Sequence, residues 1–167
     1  MIDVMSPRAT GRPHSADTRA TPARLRRIPS RLLAIAAAHA DRLVTAGLAG
    51  VDAHKWHYAV LAALHDGGPA SQAELSRRTG IYRSDMVAVL NELEERGLLR
   101  RAPDPTDRRR NVISMTAPGD RQLTRLDTLV TSLQDDLLAP LSTTDRQHLV
   151  DLLSRLIAHH TTATGPP

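Results

Sequence analysis

Along this chain apolar residues recur mostly at helical spacing, and a short alternating run appears only from residue 111. After Pro29-Ser30, the residues Leu32, Ala36, His39, Leu43 and Ala46 share one stripe, and Gly47 is expected to stop that helix. Asp52 offers an N-cap for a second helix, "AHKWHYAVLAALHD", which closes at Gly67-Gly68. That segment is apolar or aromatic nearly all round, so it is predicted to be central and buried. "SQAE", Ser71 to Glu74, has the form of a capping box, and the short helix "QAELSRRT" behind it should end at Gly80. In "YRSDMVAVLNELEER" the inward stripe is Met86, Val89 or Leu90, and Leu93, with Val87 and Ala88 outward and Gly97 as the stop.

The pattern then changes. "LLRRAP" and "NVISMT" read as two strands, and between them "DPTD" supplies a turn and "RRR" a cationic tip. Thr116 is placed to cap a long helix over 118–138, with Leu123, Leu126, Val130, Leu133 and Leu137 on its apolar side and Pro140 beyond it. "STTD" from Ser142 opens a last helix bearing Leu149, Leu152, Leu153, Leu156 and Ile157. The predicted order is α-α-α-α-β-β-α-α, a mainly α fold with a minor β part. In it a helix-turn-helix precedes a hairpin wing and is flanked by N- and C-terminal helices. The domain is expected over 29–160, with disordered tails at 1–28, rich in Arg and Pro, and at 161–167.

Composition narrows the chemistry. A length of 167 residues suits one domain with a real core, and the absence of cysteine excludes disulfides, Cys-ligated zinc and thiol redox sensing. No apolar run approaches the roughly 18–20 residues of a bilayer span, and the N-terminus has no apolar signal core. A cytoplasmic protein with no membrane partner is therefore expected. The formal charge is +4, and Lys55 is the only lysine. The basicity is almost all arginine, the side chain suited to bidentate contact with phosphate and guanine. No Ser/His/Asp arrangement, phosphate-cradling Gly loop or paired-carboxylate motif is present, so neither an enzyme nor a cofactor is expected.

With those elements in place, "GPASQAELSRRTGIYRSDMVAVLNELEERGLLRRAPDPTDRRRNVISMTAPG" resembles the winged helix-turn-helix of MarR-type transcription regulators. The most specific part is the Asp-Pro-x-Asp-Arg-Arg wing, followed by a strand ending in Thr and a Gly shortly after. The resemblance implies a DNA-binding lobe over about 53–116 and dimerisation helices over 30–50 and 117–160. It further implies an obligate homodimer on double-stranded DNA, mostly a repressor, released from a pseudo-palindromic operator by a small aromatic or phenolic effector. On that basis Arg83, Ser84 and Asp85 lead a helix into the major groove, and Ser71 and Gln72 meet phosphates. Asp107 braces the wing, Arg109 enters the minor groove, and Arg108 and Arg110 lie near phosphates. The chain departs from the family at Val87 and Ala88, where relatives present Thr then Arg, and at Tyr82, where an acid or other cap is common. Base readout is expected to be correspondingly lean.

The effector candidates are His39, Arg42, His54, Trp56, His57 and Tyr58. Trp56 can stack on a planar ligand, and a histidine or Arg42 can meet a carboxylate; the alternative is that Trp56 and Tyr58 are core at the junction of dimer region and lobe, and that His39 is a satisfied buried histidine. His54 and His57, three apart on a helix, could share a metal, which leaves a His-ligated zinc regulator as one alternative function. Since no Glu neighbours the pair in the sequence, no metal site is assigned. Another alternative is a winged-helix protein-interaction module without base-specific readout.

Overall fold

The computed structural model describes residues 21–103 and 111–163. Its elements are α1 (Pro29–Ala49), α2 (Lys55–Gly67), α3 (Gln72–Thr79), α4 (Arg83–Glu95), β1 (Leu99–Pro103), β2 (Asn111–Met115), α5 (Ala117–Leu137) and α6 (Thr143–Ala163). The order matches the pattern of apolar spacing. A 3-10 turn at Leu25–Arg27 lies in the span expected to be tail, and α6 runs to Ala163, beyond the expected end at 160. The remaining tail residues, 1–20 and 164–167, lie outside the described residues.

The chain divides within α1 into two units, 1–39 and 40–167. In the first unit Leu32, Leu33 and Ile35 are exposed, as is His39, whose alternative reading was a buried position. No run of apolar residues was expected to be long enough for a bilayer span. Yet α1 has that length and composition although almost none of it is buried in the chain. Its hydropathy comes from alanines, leucines and an isoleucine spread round the helix rather than from one uninterrupted run, and Arg31, Asp41 and Arg42 break it up.

The second unit holds the core. Val60, Leu61 and Leu64 of α2 are buried with Leu75, Met86, Leu90, Leu93, Leu99, Ile113 and Leu126. Each such side chain contributes about 1.5–3 kcal/mol relative to exposure. As predicted, α2 is central: it packs against α3, α4, α5 and β2. By contrast, no residue of α6 is described as buried, and Val150, Leu152, Leu156 and Ile157 lie on its surface.

Two local expectations fail. Gly47 does not stop α1 but lies inside it, and a Cβ there would come within 2.6–2.7 Å of the Leu133 methyls of α5. The glycine provides close approach, not termination. Asp52 does not cap α2, whose N-cap is His54. Asp52 sits at φ 52°, a left-handed conformation that short polar residues tolerate, in the turn leaving α1, where its N–H donates to Ala49 O at 3.2 Å.

β1 and β2 pair antiparallel from Leu99↔Met115 to Pro103↔Asn111. A third edge was not foreseen: Ala70 and Ile113 exchange two backbone bonds of 3.0 and 2.8 Å, tying the segment before α3 to the hairpin. Single-residue bridges leave no alternation in the sequence to detect.

Thr116 caps α5 as expected. Its Oγ1 accepts from Gly119 N–H at 3.1 Å and donates to Gly97 O at 2.7 Å. A Cβ on Gly119 would lie 2.0 Å from Leu98 O, so the first turn of α5 can seat against the α4–β1 corner only as glycine.

Candidate DNA interface

The helix-turn-helix is built from its caps inward. Ser71 Oγ accepts from Glu74 N–H at 3.3 Å, while the Glu74 carboxylate takes Arg78 Nε at 2.9 Å and also Arg77. Gly80, at φ 71°, ends α3 in the left-handed conformation, and its N–H donates to Ser76 O at 2.9 Å. Ile81 is buried beneath the turn. Gln72 Nε2 reaches Arg83 O at 3.5 Å, joining the start of α3 to the start of α4.

Helix α4 is anchored by Met86, Val89, Leu90 and Leu93, all buried. At 3.6 residues per turn that stripe directs Ser84, Val87 and Ala88 outward, and these three are exposed, as is Arg83 at the first position of the helix. Asp85 is half-buried and accepts from Ser84 Oγ at 3.4 Å. Tyr82 is 80% exposed and supplies no side-chain cap, which leaves the first-turn N–H groups of α4 without a side-chain acceptor. Ser71 and Arg83 border an open groove of about 600 Å3 with Arg77 and Tyr82.

The hairpin is locked to this helix. Arg101 N–H donates to Glu94 Oε1 at 3.0 Å, its guanidinium pairs with Glu94 Oε2, and its Nη2 donates to Asn91 Oδ1 at 2.8 Å. Sequence reasoning missed this clamp, since an arginine in a basic strand carries no mark of its partner. A second cleft, about 270 Å3, runs between Ser71, Gln72 and Ala73 on one side and Arg101, Asn111 and Ile113 on the other. Asp107, Arg108, Arg109 and Arg110 lie outside the described residues.

The effector candidates of the second unit do not share one cleft. His54 and His57 line a cleft of about 420 Å3 with Ala49, Asp52, Glu92, Glu95 and Arg96. Tyr58 turns to α5, its Oη donating to Asp127 Oδ1 at 2.9 Å; burial, with Asp127 beside it, pushes its phenol up. Trp56 is 37% exposed in the single chain and stands edge-on to His54. Arg42 is exposed on α1.

Around the histidines the sequence reading needs a correction. Glu92 of α4 does neighbour the pair: its Oε2 lies 3.2 Å from His54 Nε2 and 2.8 Å from His57 Nε2. A separation of 35 residues hid it. Burial holds the His57 imidazole below its usual value against the raising effect of Glu92, whereas hydrogen bonds from His54 and His57 lower the Glu92 carboxyl.

The MarR family model matches residues 49–110, which run from the end of α1 past β1. A transcriptional regulator structure from Pseudomonas aeruginosa, described as probable, is 31% identical, with a TM-score of 0.70; the match covers 76% of this chain and 95% of that one. The chain belongs to the MarR family. A candidate regulatory protein for the hcr operon of Thauera aromatica is 39% identical over 99 residues, 59% of this MarR-family chain and 60% of that protein. The chain thus spans about three-fifths of the length of that relative. The PcaV regulator of Streptomyces coelicolor, solved with its natural ligand, is 28% identical with a TM-score of 0.67, covering 80% of this chain and 94% of its own.

Proposed function

We propose that this chain is a sequence-specific DNA-binding regulator of transcription that acts as a homodimer. The observation that carries the reading is α4: one face buries Met86, Val89, Leu90 and Leu93, and the exposed first turn presents Arg83 and Ser84 beside a helix start without a side-chain cap. Arg83 forks onto guanine O6 and N7 or onto a phosphate, and Ser71 and Gln72 contact the backbone. Asp85 accepts from cytosine or orients an arginine. Val87 and Ala88 give apolar contact to a thymine methyl. The wing, positioned through Arg101, carries Arg109 into the minor groove with Arg108 and Arg110 at phosphates and Asp107 as its brace.

The exposed apolar residues of α6 and of the α1 segment support pairing of two copies, since water-facing leucines of this number need a partner. That reading also accounts for the apolar character of α1 without a bilayer. Repression relieved by a small aromatic or phenolic effector is the regulatory form we favour; the PcaV relative, solved with its natural ligand, supports ligand responsiveness as such. Arg42, His54, Trp56, His57 and Tyr58 are the proposed effector contacts.

The test is a gel-shift titration on duplex DNA from the chain's own upstream region, with footprinting and sedimentation. Expected are a dimer, and a pseudo-palindromic footprint with half-sites about 10 bp apart. Arg109→Ala should weaken binding strongly and flatten the salt dependence by about one unit per lost phosphate contact. A monomer, or indifference to every duplex at low salt, overturns the reading.

A further inference from the structure

The cleft beneath the start of α2 has a chemistry that DNA recognition does not use. His54 and His57 are one helical turn apart and present their Nε2 atoms to the same carboxylate oxygen, Glu92 Oε2, at 3.2 and 2.8 Å. One donor atom from each of the three residues lies within 4.8 Å of the other two. Tetrahedral zinc with bonds of about 2.1 Å spaces its ligands roughly 3.4 Å apart, so small side-chain adjustments would admit an ion. The two imidazole rings lie only 3.5 Å apart, centroid to centroid. One metal ion can be shared by both rings through their Nε2 atoms.

The surroundings favour a cation. Three carboxylates, Asp52, Glu92 and Glu95, line this cleft against one guanidinium, and that guanidinium is already held: Arg96 Nη1 donates to Asp52 O at 2.6 Å and Nη2 pairs with Asp52 Oδ2 at 3.3 Å. Access is open, because the His54 and Glu92 side chains are 41% and 52% exposed while His57 is 5% exposed at the floor. His57 Nδ1, the nitrogen that carries the proton when Nε2 coordinates, is buried with no hydrogen-bond partner among the described residues.

From this geometry we infer that His54, His57 and Glu92 form a binding site for a divalent transition cation of the zinc class, with water or Glu95 completing its coordination. Two imidazoles and one carboxylate select such an ion over magnesium or calcium. The ion would bridge α2 to α4, and on the reading of α4 as the DNA-contacting helix, it would tie metal occupancy to the position of that helix.

Zinc titrated into the chelator-stripped full chain, in competition with a chromophoric chelator, tests the site without DNA. We expect one competed ion per chain, a rise in melting temperature, and at least about a tenfold loss of affinity in His54→Ala and in Glu92→Gln. Both positions are partly exposed, so their folds should survive, and circular dichroism checks this. His159→Ala should retain the ion. No uptake by the wild type, or uptake unchanged in both variants, overturns the inference. Duplex binding by the metal-free protein is read separately, so either idea can fail alone.

Discussion

Arg101 of β1 is held by Glu94 of α4 through two bonds at once, from its backbone N–H at 3.0 Å and from its guanidinium. A strand and a helix are thereby fixed to one carboxylate. Glu94→Ala removes the acceptor for both, leaving a part-buried N–H and a loose arginine. The exposed portion of the pair is worth little in water, so the expected loss of stability is about 1 kcal/mol. Operator affinity should fall by more than that, since the wing loses its bearing on α4. Equal losses in urea unfolding and in gel-shift titration would deny the clamp its positioning role.

Gly119→Ala tests the seating of α5. Its Cβ would meet a backbone oxygen, Leu98 O, at 2.0 Å, and backbone cannot rotate aside as a side chain does. A destabilisation of about 3 kcal/mol is expected in denaturant unfolding. Thr116→Ala, which removes the cap and the bond to Gly97 O, should cost about 1 kcal/mol.

Gly47→Ala asks whether close approach outweighs helix propensity. Alanine gains about 1 kcal/mol in a helix interior, but the added methyl collides with Leu133. Net destabilisation of about 1–2 kcal/mol is expected. In Gly47→Ala/Leu133→Ala the second change opens room for the first, so the two losses should sum to more than the double variant shows. Strict additivity would mean the helices do not meet there.

Arg83→Ala leaves the fold alone because the side chain is exposed at the start of α4. Its melting temperature should match the wild type, while duplex binding weakens by about 1–3 kcal/mol and discrimination relaxes at one base position. Uniform weakening across all sequences would assign Arg83 to a phosphate instead.

The sequence by itself determined the elements that repeat a local rule. The stripe Met86, Val89, Leu90, Leu93 is buried as its spacing predicts, Ser71 and Thr116 cap the helices they were read to cap, and the hairpin strands fall at 99–103 and 111–115. Such features depend on neighbours within four residues, and periodicity records them. Tertiary structure decided the rest. It placed Gly47 against Leu133, Ala70 beside Ile113, Arg101 on Glu94 and Glu92 between two histidines. Gly47 and Asp52 were misread for the same cause: both carry local stop or cap signals, but packing against α5 and the turn toward α2 put those residue types to other uses. Contacts between residues seven to eighty-six positions apart leave no periodic trace, because the folded backbone, not the spacing along the chain, brings them within bonding distance.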